Sequence, residues 1–187
     1  MLALFQRLSS ARPLAVLTLL YILFPAIVLP PIESQLKGYS GGMGPIDLKF
    51  TYTPTEVFQM VAAYGEQGRA YYRMIEMTVD ILYPLAYTLF FGALLTAILR
   101  RAFPGNSMVQ RLALLTPLCF LLDMAENIGI ITMLSQFPAQ PEAVAQITAL
   151  FTTAKWVAFA AIILTVLVGL VVWLIRRFAG QPAHRPA

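Results

Sequence analysis

The chain has 187 residues, 59% of them apolar and 12% charged, where a soluble domain carries about a quarter charged residues. That balance excludes a soluble catalytic domain, because spans of about 20 residues each consume most of the length and leave room for one modest segment outside a bilayer. The net charge of +4 suggests nucleic acid at first sight, but the basic residues sort by their position between apolar segments, so the lipid bilayer is the expected partner and nucleic acid is not.

The single cysteine, Cys119, allows no internal disulfide, and the single histidine, His184, lies near the C-terminus. Zinc, copper, haem and di-iron sites rich in imidazole or thiolate are therefore excluded by ligand supply. Cys119 reads as a small packing residue among Leu115, Leu118 and Leu122.

Four apolar segments follow in order, at residues 14–29, 75–99, 112–134 and 149–175, each long enough to cross about 30 Å of hydrocarbon. The first follows Arg7 and Arg12 and reads as a retained anchor, since no small-x-small cleavage site follows it. Pro25, Pro84 and Pro117 fall inside spans and are weak signals of kinks.

Residues 32–70 form the expected cap between the first two spans. Ile46, Leu48, Phe50 and Tyr52 alternate with Asp47, Lys49 and Thr51, the period of a half-buried strand. Thr53-Pro54-Thr55-Glu56 then reads as an N-cap, a first-turn proline and a capping-box glutamate. A short helix with Val57, Phe58, Met60 and Val61 on its apolar face should follow and end at Gly65 and Gly68. Residues 178–187 are expected to be a disordered tail.

Orientation follows from the cations. Arg7, Arg12, Arg100, Arg101, Arg111, Arg176, Arg177 and Arg185 fall on the side of the termini, with no acidic residue among them. That side is expected to be cytoplasmic. Opposite it, Lys37, Lys49, Arg69 and Arg73 meet Glu33, Asp47, Glu56, Glu66 and Glu142.

The chemistry sits at membrane depth. On the second helix Arg69, Arg73, Glu76, Asp80, Tyr83 and Tyr87 recur every three or four residues and form one stripe. Asp123, Glu126 and Asn127 share a face of the third helix, and Thr148, Thr152 and Lys155 a face of the fourth. Counting inward at ~1.5 Å per residue puts Asp80 and Lys155 about 8 Å down, Asn127 about 10 Å, Glu126 about 12 Å and Asp123 about 16 Å. Glu76, Arg69 and Arg73 belong at the outer interface, the arginines snorkelling outward and occupying Glu76.

An ionisable residue at a helix centre costs about 2.5–3.5 kcal/mol, so such groups pair or line a cavity. Asp80, Asp123 and Glu126 outnumber Lys155, and the surplus must be met by protons, a cation or entering water. Carboxylates with Asn127 suit a hard cation by ligand type, yet no spacing is diagnostic, and neither metal nor cofactor is expected. Three readings follow. The cluster organises the bundle and is available to bind a lipid or other apolar or amphipathic molecule; or it couples transport to protons or ions; or a carboxylate serves as acid or base in an enzyme acting on a lipid or isoprenoid. A protein partner or a second copy of the chain is compatible with each.

Other candidates fall away. Gly38-Tyr39-Ser40-Gly41-Gly42-Met43-Gly44 lacks the lysine of a phosphate loop, and the serines have no histidine for a triad. Tyr71, Tyr72, Trp156 and Trp173 are read as interfacial aromatics.

The order Gly65-Glu66-x-Gly68-Arg69, Tyr72, Asp80-x-x-x-Pro84-x-x-Tyr87, Asp123-x-x-Glu126-Asn127, Thr152-x-x-Lys155-Trp156 resembles a loose group of uncharacterised bacterial four-helix inner-membrane proteins. The resemblance covers residues 45–160 and implies a bacterial inner membrane, with no activity attached. The expected fold is an all-α membrane protein, a bundle of four transmembrane helices with a small extracytoplasmic strand-plus-helix cap.

Overall fold

The computed structural model describes residues 1–179. A short helix α1 (Leu2–Leu8) leads into α2 (Ala11–Leu23), which runs through a π-helical turn at Phe24–Val28 into α3 (Leu29–Tyr39). An irregular loop precedes α4 (Pro54–Ala63), then α5 (Gly65–Glu76) and α6 (Val79–Ala102). A helical turn, α7 (Ser107–Gln110), and a 3-10 turn at Arg111–Leu114 lead into α8 (Leu115–Gln136), and α9 (Glu142–Ala179) closes the described chain. Four stretches, Ala11–Tyr39, Gly65–Ala102, Ser107–Gln136 and Glu142–Ala179, are helices long and apolar enough to cross a membrane. The expected all-helical bundle is therefore present. Helix α9 continues through residues 178 and 179, and the rest of the expected tail lies outside the described residues.

The strand is a correction. Residues 46–50 form a turn flanked by bends, 51 and 52 have no regular structure, and no strand occurs among the described residues. Ile46 and Tyr52 are buried as the alternation requires, but Leu48 and Phe50 are 53% and 59% exposed. The physical reason is the absence of a partner: a single strand with no neighbour leaves its backbone groups unpaired. Here side chains satisfy them instead. The Tyr72 hydroxyl accepts from Ile46 N at 2.8 Å, and the Asp47 carbonyl accepts from Trp156 Nε1 at 3.3 Å. Thr153 Oγ1 donates to the Phe50 carbonyl at 3.1 Å. The cap is thus a loop seated on the bundle, followed by the expected helix α4.

Helix α4 starts as its sequence dictates. Thr53 Oγ1 accepts from Glu56 N at 3.3 Å while the Glu56 carboxylate accepts from Thr53 N at 2.7 Å, closing the capping box. Val57, Phe58, Met60 and Val61 are buried in one core with Leu36, Tyr64, Tyr72, Ile130 and Met133. Gly65 ends the helix at φ +62°, a conformation costly for a residue with a Cβ. Gly68, expected to share that role, instead lies inside α5, where a Cβ would come 2.8 Å from Tyr39 Cβ.

A second core fills the end of the bundle that carries the termini, around Phe90, Phe91, Leu95, Leu99 and Ile162, with Phe5 of α1 packed into it. Helices α8 and α9 pack tightly at Gly129, where a Cβ would overlap Thr148. The first span is the loosest: 6% of its most apolar window is buried, against 61% for the second. It rests on α6 through Tyr21, stacked 4.7 Å from the Phe90 ring.

The capping box carries a pH dependence. Bonds from the Thr53 backbone and hydroxyl hold the Glu56 carboxyl below its ordinary value. A depressed carboxyl contributes stability that is present above its unfolded pKa and is lost as pH falls through its folded one. Amide exchange at Glu56 and Val57 should therefore accelerate, relative to the α4 centre, as the pH is taken from 6 to below the usual glutamate range of about 4.3. Glu56→Gln should flatten that difference, and an unchanged profile in the variant would contradict the assignment.

Candidate functional site

The polar residues of α8 and α9 meet as their spacing requires. Lys155 Nζ forms an ion pair with Glu126 Oε2 and a longer one with Asp123 Oδ1 at 3.6 Å. Thr152, one turn before Lys155, donates to Glu126 Oε1 at 2.7 Å. Glu126 is fully buried, and Asp123 and Lys155 are nearly so. The Tyr87 hydroxyl donates to Asp123 Oδ2 at 2.8 Å and lies 3.6 Å from Cys119 Sγ. Each carboxylate next to the ammonium thus holds a second hydrogen bond, the condition under which a buried ion pair is tolerated.

The second span is broken at Met77 and Thr78, between Glu76 on α5 and Asp80 on α6. Four residues past Asp80 stands Pro84, which has no N–H to donate to the Asp80 carbonyl. Asn127 Nδ2 fills that vacancy, donating to Asp80 O at 2.7 Å. Asn127 is therefore a backbone partner rather than a member of the charged group.

Glu76 corrects the interfacial reading. It is 0% exposed, and neither carboxylate oxygen has a hydrogen-bond partner among the described residues. The arginines are engaged elsewhere: Arg69 donates to the Val61 carbonyl at 3.2 Å and lies 3.8 Å over the Phe137 ring. Arg73 reaches Ser135 Oγ at 3.5 Å. Glu76 turns into the bundle while both guanidinium groups lie against α4 and the α8 end.

Sequence reasoning missed Asp47. The alternation assigns it to the polar side of a strand, whereas the loop carries it into the bundle, where Tyr72 donates to its Oδ1 at 2.6 Å and Lys155 Nζ lies 3.4 Å from its carbonyl. Tyr72 and Trp156, read as interfacial aromatics, are among the residues that pin this loop. Nothing in local periodicity reports such a contact. Tyr52 also turns inward, its hydroxyl 3.4 Å from Thr152 Oγ1, and burial pushes its phenol above the ordinary range.

Beside this cluster lies a cavity of about 240 Å³. Asp47, Asp80, Asp123 and Lys155 form its polar wall, and Tyr21, Tyr83, Trp156 and Phe159 are among its aromatic walls. Tyr83 holds its place by packing, its ring 5.3 Å from Phe24 and 5.8 Å from Tyr87. A second cavity of about 280 Å³ shares Leu29, Asp47, Leu48, Asp80 and Tyr83 with the first. Asp80 faces both and has no ion pair among the described residues. No His, Cys, Asp or Glu side chains are grouped to hold a metal ion among the described residues. Comparison with known protein families, curated proteins and solved structures found no match for the chain in any of the three.

Two substitution sets test this geometry. Asn127→Leu leaves the Asp80 carbonyl unpaired and should cost about 1–3 kcal/mol. In a Pro84→Ala background a backbone N–H takes over the acceptor, so the same change should cost less than about 1 kcal/mol. Equal costs in the two backgrounds, read from thermal unfolding in lipid nanodiscs, would contradict the assigned role. Lys155→Met strands Glu126 and Asp123 and should cost about 3–5 kcal/mol, with partial recovery when Glu126→Gln is added. Additive losses in the double variant would show that the pair is not coupled.

Proposed function

We propose that this chain is a multi-pass protein of a bacterial inner membrane, with both termini cytoplasmic, whose polar cluster organises the bundle and presents a site for an amphipathic molecule. The arginine-only charge of the termini side supports the orientation. The resemblance described above supports the bacterial membrane.

The observation that carries the binding reading is the cavity beside the cluster, with aromatic walls and a polar wall of three aspartates and a lysine. Small-molecule sites are concave and mostly apolar, with a few polar groups that set orientation. The π-helical turn at Phe24–Val28 flanks this region, and such turns recur at functional sites. The loosely packed first span supplies Tyr21 and Leu29 to the wall, so a ligand has a route from the lipid that needs little disruption of the core.

An enzyme acting on a lipid is the second reading, favoured by Asp80, a carboxylate that faces both cavities with no cation of its own. Translocation is less well supported. It needs a polar path to both faces, and the termini end is filled by Phe90, Phe91, Leu95, Leu99 and Ile162.

Trp156 lines the cavity, whereas Trp173 lies farther along α9 towards the termini end. In phosphatidylcholine nanodiscs, the Trp173→Phe variant should show saturable quenching of Trp156 by 11-bromoundecanol. The Trp156→Phe variant, reporting through Trp173, should show only the linear quenching of bulk partition. Linear quenching in both would remove the binding reading.

A further inference from the structure

We infer that the molecule this cavity takes is an amphipathic organic cation, its ammonium group seated between Asp80, Asp47 and the aromatic walls. The inference rests on the binding reading above and adds the class of head group.

Charge is the first argument. Among the described residues Lys155 is the one cation that lines the cavity, and it is engaged with Glu126 and with Asp123. Its remaining contacts are the Asp47 carbonyl and the Trp156 ring, whose centroid lies 5.7 Å from Nζ, not a third carboxylate. Asp47 has a hydrogen bond from Tyr72, and Asp80 has no ion pair among the described residues. Both residues line both cavities. The polar end of the space therefore holds more carboxyl groups than the chain's own ammonium pairs with among the described residues, and a bound cation would balance their ionised form there more strongly than in water.

The walls give the second, independent argument. Tyr21, Tyr83 and Trp156 line the same cavity, with Tyr21 and Tyr83 near-parallel at 6.4 Å. Aromatic faces attract ammonium groups through their ring quadrupole, and several faces about a carboxylate are a recurrent way to hold quaternary ammonium. An anionic head group would meet the aspartates first, and a neutral one would leave their charge unanswered. Phe159 and Tyr87 stand about one turn deeper along their helices than Trp156 and Tyr83 and continue the wall as an apolar slot for a chain.

The test uses probes with one chain and different heads: 11-bromoundecyltrimethylammonium, 11-bromoundecanol and 11-bromoundecanoate, each titrated against Trp156 in the full-length Trp173→Phe protein in phosphatidylcholine nanodiscs. Partition is corrected with the Trp156→Phe protein. The cation should bind about ten-fold or more tightly than the alcohol. Asp80→Asn or Asp47→Asn should collapse that preference to within about three-fold, and a thermal unfolding midpoint near that of the wild type shows that the variant is folded. Asp47 lies in the loop, so its variant keeps the test open should Asp80→Asn fail to fold. Equal binding of cation and alcohol, tightest binding of the carboxylate, or full preference retained in both variants would overturn the cationic class while sparing the cavity as a site. Absence of saturable binding by all three would instead overturn the binding reading on which it rests.

Discussion

Burying the Lys155 ammonium against Glu126 constrains every segment around it, because a charge at that depth is tolerated only where each partner is held by further hydrogen bonds. Thr152 holds Glu126, and Tyr87 holds Asp123. These bonds set the register of α9 against α8 and bring α6 into the same layer. The close approach of α8 and α9 at Gly129 has the same consequence from the packing side, since only hydrogen at that position lets the Thr148 side chain fit. Ion pair and packing thus select one arrangement.

Backbone accounting extends the argument to the helix break. Pro84 removes a donor from the first turns of α6, and in hydrocarbon the stranded Asp80 carbonyl must find another. Asn127 provides it from α8, which anchors the start of α6 beside the ionic layer, where Asp80 lines both cavities. The irregular loop obeys the same rule. Its carbonyls and amides are accommodated at the end of the bundle because Tyr72, Trp156 and Thr153 supply partners that a neighbouring strand would otherwise provide. A loop held in this way brings a fifth carboxylate, Asp47, into a region that already has four.

The site consequently differs from a closed structural cluster. Where Lys155, Glu126 and Asp123 meet, the pairing is mutual; towards Asp80 and Asp47 it is not, and there the protein is hollow. Glu76 has both oxygens unpartnered among the described residues, a costly arrangement for a purely structural residue. The layer thus has two sides, the paired side holding the helices and the unpaired side facing the cavities.

Much of this was legible in the chain. Apolar runs of span length, the helical spacing of Asp80, Tyr83 and Tyr87, the shared face of Asp123, Glu126 and Asn127, and the Thr53 to Glu56 cap are local patterns, and local patterns survive folding when one face is buried. The depth count brought Asp123, Glu126 and Lys155 to one layer because helix rise is constant. What sequence could not decide depends on contacts between distant segments. Residues 46–52 alternate like a strand, yet alternation cannot create a partner strand, and the loop was decided by tyrosine and tryptophan donors on other helices. The destination of Glu76, the pairing of Arg69 with a carbonyl and an aromatic face, the task of Asn127 and the arrival of Asp47 were likewise set by tertiary packing, because each depends on which donors and acceptors another segment leaves unfilled.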